Sequence, residues 1–349
     1  MTKANNFDIL RLLAACFVIV THSFSLLGKG EMDLLSYYSK GMISFSHLGV
    51  AIFFVISGYL ILNSAIYSSS AKSYFWKRLL RILPGLLVVL LISVFILGPI
   101  LTSKSAFSYF ADIQTYKHLV TISIYNINHL NLPGVFSENH NSAVNGSLWT
   151  LQYEFTCYLL VAFLVFIFKS EKIKLTYLVY FLFILLISAR FFLGDRYFWY
   201  NYSTPYLFGL NIMYITEWSI YFTAGMVIYL LKDKFNYFNW LTIILLGLFI
   251  ILVSFNYLSF ARLALYFLVP VVVYYFAFLV KSIQIPTQIG DISYGMYIYA
   301  FPIQQTILNL YPSIKVEYFI FVSIICTIPF AFLSWHYIEK RALKFKNLY

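Results

Sequence analysis

The sequence predicts an all-α fold: a polytopic membrane helix bundle of about ten transmembrane helices with both termini in the cytoplasm. Three observations predict it. Only 11% of the 349 residues are charged, whereas a soluble domain carries about 25%. Hydrophobic residues make up 61% of the chain, and the mean hydropathy is +0.81. The apolar residues are also gathered into segments of about 20 residues, the length a helix needs to cross a hydrocarbon core of ~30 Å.

The ten segments lie at approximately 8–28, 42–65, 82–103, 147–168, 175–194, 211–231, 238–256, 261–280, 289–311 and 317–338, with limits uncertain by a few residues. The first is preceded only by Lys3 and has no small-residue cleavage site, so it reads as a retained span. The second carries His47, and the third follows the basic run Lys77-Arg78-Leu-Leu-Arg81. The sixth is the least regular, because Pro205, Gly209 and Glu217 interrupt the stretch 197–231. Asp291 is placed to cap the ninth. The long loop, about 104–146, contains His118, His129 and His140. It reads as a solvated external loop rather than a metal site, although loops of this length often act as lids. The whole of 1–349 reads as one transmembrane domain with no soluble domain.

Orientation follows from the loops. With the N-terminus inside, 15 Lys and Arg lie on the cytoplasmic side and 8 outside, Arg190 and Arg262 among the latter. Cytoplasmic loops attract Lys and Arg, so the excess accounts for most of the net charge of +11 and gives no reason to invoke nucleic acid. Cys16, Cys157 and Cys326 all fall in apolar spans and show no disulfide or metal spacing; they read as buried, inert side chains.

Chemistry is expected where ionisable residues stand inside spans, because burying them there costs several kcal/mol. Arg11 and His22 share the first segment, roughly 16 Å apart by helix rise. His22 lies six residues from the outer end of its span, and Glu154 seven from the outer end of the fourth. Both would sit at roughly 10 Å depth. They are therefore expected to face each other, the carboxylate fixing the imidazole tautomer and strengthening it as a base. The competing reading makes both polar helix contacts; the matched depth favours function. On the inner side, Arg78 and Arg81 at i and i+3 share one helix face. Paired guanidiniums suit phosphates, but spacing alone fits a lipid-headgroup anchor better. Among the remaining polar residues, His47 belongs to the outer half and Glu217 is a possible pore-lining group. His336 reads as a helix contact. Trp149, Tyr294 and Tyr297 suit stacking on a sugar or acyl arm, though aromatics at helical spacing more often pack.

Six blocks then carry a resemblance. They are Phe7-Asp-Ile-Leu-Arg11 followed by ten residues and His22; Gly49-Val-Ala-Ile-Phe-Phe-Val-Ile-Ser-Gly-Tyr59; Arg78-Leu-Leu-Arg81-Ile-Leu-Pro84; Ser147-Leu-Trp-Thr-Leu-Gln-Tyr-Glu154; Ile292-Ser-Tyr-Gly-Met-Tyr-Ile-Tyr299 with Pro302; and Ser334-Trp-His-Tyr-Ile-Glu339. In this order and over nearly the whole chain, they resemble the acyltransferase-3 family of multi-span membrane acyltransferases. The last block departs slightly, lacking the proline that often follows the lysine.

The resemblance implies an enzyme of the inner (plasma) membrane that takes an acetyl group from cytoplasmic acetyl-CoA to a hydroxyl outside. The acceptor would be a surface polysaccharide or a lipid-linked oligosaccharide, with membrane lipids as surroundings and no metal. It matches His22 to the essential histidine and Glu154 to a polar position of the Ser-Leu-Trp block, and the matched depth makes these two the expected catalytic pair. Arg11, Arg78 and Arg81 match donor-binding positions, and Ser147, Trp149 and His47 fall to the acceptor side. Acetyl-CoA is a large anion whose pantetheine arm is thin and uncharged, so inner arginines would hold the phosphates while the arm threads the bundle. Whether His22 acts as a general base or is itself acetylated stays open. A transporter or flippase for a lipid-linked sugar, or a glycan ligase, would use the same intramembrane charges differently, and the acyl group could be succinyl.

Overall fold

The computed structural model describes residues 5–125, 130–168, 170–198, 206–232, 238–283 and 285–348. Lys3, His129, Lys169, Pro205 and Lys234, used in the reading above, lie outside the described residues.

Ten helices occupy the apolar segments among the described residues: α1 Phe7–Leu26, α2 Phe45–Tyr67, α3 Ala71–Leu101, α4 Gly146–Phe168, α5 Lys172–Phe198, α6 Ile212–Leu231, α7 Phe238–Ser254, α8 Leu258–Leu279, α9 Ser293–Leu310 and α10 Val316–Lys346. Seven of them, α1 to α5, α8 and α10, are long and apolar enough to cross a membrane. Of the rest, α7 has 17 residues, while α6 and α9 are diluted by polar residues such as Glu217, Gln304 and Gln305. Side-chain caps set several starts: Ser44 accepts from His47 N at 3.2 Å, Ser70 from Ser73 N at 3.1 Å and Asn211 from Met213 N at 2.9 Å. The irregular stretch before α6 is a two-residue hairpin, β1 Tyr206–Leu207 against β2 Leu210–Asn211. Its turn places Phe208 and Gly209 at positive φ. The N-cap position of α9 falls on Ile292, and Asp291 just before it accepts from Ser293 Oγ and pairs with arginines.

α2 lies at the centre, packed between α1, α6, α4 and α8. Glycines permit the closest approaches. A Cβ on Gly58 would lie 1.9 Å from the Phe222 carbonyl oxygen, one on Gly225 2.0 Å from that of Val55, and one on Gly49 2.5 Å from that of Ala14. In lipid, where apolar surface gives no drive for helices to associate, such small-residue contacts supply the packing. The N-terminus of α1 is tied to the end of α8 by Asn6. Its amide nitrogen donates to Phe276 O at 2.8 Å, and its amide oxygen accepts from Ile283 N at 2.6 Å.

The long loop departs from the expected solvated segment. It folds into short helices, Ala106–Ala111 and Ile113–Lys117, and a 3₁₀ stretch, His118–Ser123. It also has a small core of Tyr109, Leu132, Val135, Phe136 and Val144 against Val94. His118 is fully buried. Among the described residues, no three His, Cys, Asp or Glu side chains are grouped to hold a metal. The loop's last stretch runs inward along α9. Asn139 Nδ2 donates to Gln305 Oε1 at 2.9 Å, and Asn145 Nδ2 to Ile298 O at 2.8 Å. Seven residues of helix separate those anchors, roughly 10 Å by rise, so α4 starts inside the bundle. One further correction concerns the cysteines. Cys157 is buried and Cys16 half-buried, but Cys326 faces outward from α10, where an apolar thiol meets lipid at little cost.

Candidate active site

Two neighbouring cavities in the bundle share a wall. The larger, about 290 Å³, is lined by His22 of α1, Ser46, His47 and Val50 of α2, and Ser147, Trp149 and Thr150 from the start of α4. Arg190, Tyr214, Glu217, Trp218 and Tyr297 complete it, with Glu31 and others at the edge. A hydrogen bond from Ser46 N to Thr21 Oγ1, 2.7 Å, holds α1 to α2 so that the two histidines stand at one level. One wall is aromatic: the Trp149 and Tyr214 ring centroids are 4.9 Å apart, and Trp218 lies 6.3 Å from Trp149. His47 leans on Trp218 at 5.0 Å, and its Nε2 is 3.5 Å from Glu217 Oε1. Glu217 Oε2 accepts from Arg190 Nε at 2.9 Å and Tyr266 OH at 2.6 Å. Arg190, read from sequence as an outer-side charge, is thus only 3% exposed and paired in the interior. The signal was available: an arginine and a glutamate inside two apolar segments need each other.

His22 is held differently. Its ring meets Phe301 edge-on, centroids 5.3 Å apart. Among the described residues, its Nδ1 is buried without a hydrogen-bond partner, and so are Ser147 Oγ and Trp218 Nε1.

The smaller cavity, about 120 Å³, lies toward the N-terminal end of α1. It is lined by Arg11, Arg78, Arg81, Ser57, Glu154, Tyr158 and Tyr294 among apolar side chains of α2 and α3. Arg81 is committed to two carboxylates, Asp291 Oδ2 at 2.7 Å and Glu339 Oε2 at 3.5 Å, and lies over the Tyr294 and Trp335 rings. Arg11 pairs with Asp8 and reaches Asp291 Oδ2 at 3.4 Å. Arg78 donates to Ser64 Oγ at 3.3 Å and has no carboxylate within 4.0 Å among the described residues. Among the described residues it is thus the arginine of this cavity without a carboxylate partner, its guanidinium lying over the Tyr74 ring, 5.9 Å from the centroid.

Val50, Thr150 and Tyr297 line both cavities and form the waist between them. Tyr297 OH donates to the Ser147 carbonyl oxygen and lies 2.6 Å from Thr150 Oγ1.

The structure thus groups His22, His47, Ser147 and Trp149 in one cavity and Arg11, Arg78, Arg81 and Glu154 in the other. It does not bring Glu154 to His22. Glu154 Oε1 accepts from Ser57 Oγ at 2.8 Å and from Tyr158 OH, on the arginine side of the waist. The equal-depth expectation fails because it started α4 at the surface. That helix begins at the level of Ile298, and its first turn, Gly146–Thr150, is a 3₁₀ segment, which advances ~2.0 Å per residue instead of 1.5. His336 stacks on Phe332 at 4.3 Å, as a helix contact. Sequence reasoning passed over Tyr297 and Thr150 as the waist, and a tyrosine among 31 carries no signal of that role.

The chain matches known proteins over half to nearly all of its length. Aligned with the O-acetyl transferase of Shigella phage Sf6, it is 32% identical over 356 residues, covering 98% of this chain and 97% of that protein. With Nodulation protein 10 of Rhizobium leguminosarum bv. viciae, it is 38% identical over 172 residues, covering 48% of this chain and 46% of the relative. No solved structure gives a significant match. The acyltransferase domain model Acyl_transf_3 matches residues 5–336, and the chain therefore belongs to the acyltransferase-3 family of membrane O-acyltransferases.

Proposed function

We propose that the protein carries an acetyl group from cytoplasmic acetyl-CoA through the membrane to a hydroxyl of a surface or lipid-linked glycan. One observation carries this reading: an arginine-lined cavity and a histidine-lined cavity meet at a single waist. Family membership makes it an acyltransferase, so the transporter and ligase readings lose their ground. The name of the phage relative, an O-acetyl transferase, supports acetyl as the group moved.

The residues divide the work. Arg78, with Arg11 beside it, offers guanidinium forks that suit phosphate oxygens. Arg81 spans Asp291 and Glu339 and holds α3, α9 and the end of α10 around the site. The apolar stretch of Phe53, Phe54, Leu60 and Ile61 suits an uncharged pantetheine arm. Beyond the waist, His22 stands where an acyl carbon would emerge and takes the proton of the acceptor hydroxyl. Trp149, Tyr214 and Trp218 offer faces for the C–H side of a sugar, and His47 with Glu217 can accept or donate to its hydroxyls. The positive-inside count supports a cytoplasmic side for the arginine cavity.

The test uses purified protein in sealed vesicles, with labelled acetyl-CoA on the arginine side and glycan extract on the other. His22-dependent transfer of label is the expected result. Equal transfer by His22→Ala removes His22 from the chemistry. Absence of transfer by the wild type, with several acceptor extracts and intact protein, overturns the donor and acceptor assignment.

A further inference from the structure

We infer that the side-chain hydroxyl of Ser147 is a catalytic group, the hydrogen-bond donor to the acyl oxygen as it becomes an oxyanion. The inference rests on the donor and acceptor reading above. Ser147 is 1% exposed, lines the larger cavity, and its Oγ has no hydrogen-bond partner. A buried hydroxyl left unpaired is costly, and native proteins keep few such groups without a reason. The rest of Ser147 is fully engaged: its backbone N–H donates to Asn145 Oδ1 at 3.3 Å, and its carbonyl accepts from Tyr297 OH. The turn is thus held at both ends, while the buried hydroxyl beside the cavity has no hydrogen-bond partner among the described residues.

Its position fits the role. Through its carbonyl, Ser147 touches the waist, the point an acyl group must pass to reach His22. Phe301 fixes the other coordinate. Its ring packs edge-on against His22 and lies so close to the neighbouring glycine that a Cβ on Gly146 would sit 2.7 Å from its Cζ. His22 and the Gly146-Ser147 turn therefore both pack against one phenyl ring. Of the larger cavity's lining, His22 Nδ1, Ser147 Oγ and Trp218 Nε1 are buried without a partner among the described residues; of these, the hydroxyl and the imidazole are the two that share contact with Phe301 through His22 itself and through Gly146.

The step balances as follows. The acceptor hydroxyl oxygen bonds to the thioester carbon while His22 takes its proton. The carbonyl π electrons move onto the oxygen, which Ser147 Oγ–H binds. The oxyanion then re-forms the double bond, the C–S bond breaks, and the thiolate leaves with the proton returned by His22. The products are an O-acyl ester and a free thiol, and Ser147 ends unchanged.

The experiment compares wild type, Ser147→Ala and Ser147→Thr in the vesicle assay, with donor and acceptor each varied and each variant acid-quenched to trap covalent label. Removing one oxyanion donor lowers kcat by about 10²–10³-fold. Ser147→Ala is expected to show a loss in that range, with both KM values within about 2-fold of wild type and bound donor intact. Ser147→Thr, which keeps the hydroxyl, is expected to retain at least about a tenth of wild-type kcat. Unchanged kcat in Ser147→Ala overturns the inference, as does a rise confined to acceptor KM, an equal loss in Ser147→Thr, or wild-type label trapped on Ser147. A wild type that moves no label at all fails the donor and acceptor reading instead, which separates the two.

Discussion

The two cavities are built on opposite principles. In the smaller one, charge is already answered within the protein: Arg81 has Asp291 and Glu339, Arg11 has Asp8 and Asp291, and Glu154 has Ser57 and Tyr158. Arg78 is the exception. In the larger one, His47, Glu217 and Arg190 form a paired wall, but His22 Nδ1, Ser147 Oγ and Trp218 Nε1 have no hydrogen-bond partner among the described residues. A cavity that must hold a large polyanion benefits from preset guanidiniums, whose geometry is fixed by carboxylates before the ligand arrives. A cavity that must change bonds needs polar atoms that only the reacting groups can satisfy. The contrast teaches that residue type alone does not identify a reacting group; its partners and the cavity it lines must be read together.

The contrast breaks first at His22. If the larger cavity is the place of chemistry, His22→Ala lowers kcat for transfer by about 10²–10⁴-fold, the range of general-base help. Donor affinity stays within a few-fold, since His22 does not line the arginine cavity. Single-turnover transfer together with equilibrium donor binding checks both halves. A parallel loss of donor binding would merge the two cavities into one functional unit.

The arginines sharpen it next. Arg78→Ala is expected to weaken donor binding by about 10–100-fold, matching the loss of a charge-assisted hydrogen bond worth ~1.5–3 kcal/mol, with kcat nearly unchanged. Arg81→Ala leaves Asp291 and Glu339 facing each other without their shared cation. Its main effect is expected on the thermal midpoint in detergent, at a cost of about 2 kcal/mol, below the 3–5 typical of fully buried pairs because Arg81 is 22% exposed. A donor-affinity loss for Arg81→Ala as large as that for Arg78→Ala would show that pairing within the protein does not separate their roles.

Glu154→Gln gives a smaller effect and a direct test of the sequence expectation. As an orienter of His22, its loss would cost orders of magnitude in kcat. As a carboxylate in the arginine cavity, its neutralisation removes a repulsion on an anionic donor. About 0.5–1 kcal/mol at partly screened distances predicts donor binding tighter by roughly 2- to 5-fold, with kcat unaltered.

How much of this was legible beforehand depends on which residues are asked. Composition and segment length carry the helical membrane class, because lipid leaves a chain no other economical way to satisfy its backbone. The motif blocks around Arg11, His22, Arg78 and Ser147 were visible, and they fall on the walls of the two cavities. The allocation of Glu154 was not. It depended on where α4 begins, and that is set by Asn145 reaching Ile298 O, a contact between residues 153 positions apart. Arg190 was misplaced for a related reason: counting it as a loop charge ignored that Glu217 could draw it into the bundle. Helix rise gives depth along one element, but only tertiary anchors say from which level to count.

The loop offers the mildest test, outside both cavities. Asp112 caps the helix Ile113–Lys117 by accepting from Gln114 N at 3.0 Å, and Lys104 Nζ lies 3.0 Å from its other oxygen. The backbone N–H first, and the lysine second, hold its carboxyl below the usual carboxylate pKa. A carboxyl depressed in the folded state contributes fully above the unfolded value of about 3.9. That contribution fades as pH falls through the depressed value. Hydrogen exchange at the Gln114 and Thr115 amides should therefore be slow and flat near neutrality and quicken, relative to unfolded reference peptides, only below about pH 4. In Asp112→Ala, that acid-dependent change disappears and exchange is faster at every pH, while transfer activity is unaffected. If the loop were the solvated segment its sequence suggests, wild type and variant would exchange alike, and the packed core of Tyr109, Val135 and Phe136 would be giving those amides no protection.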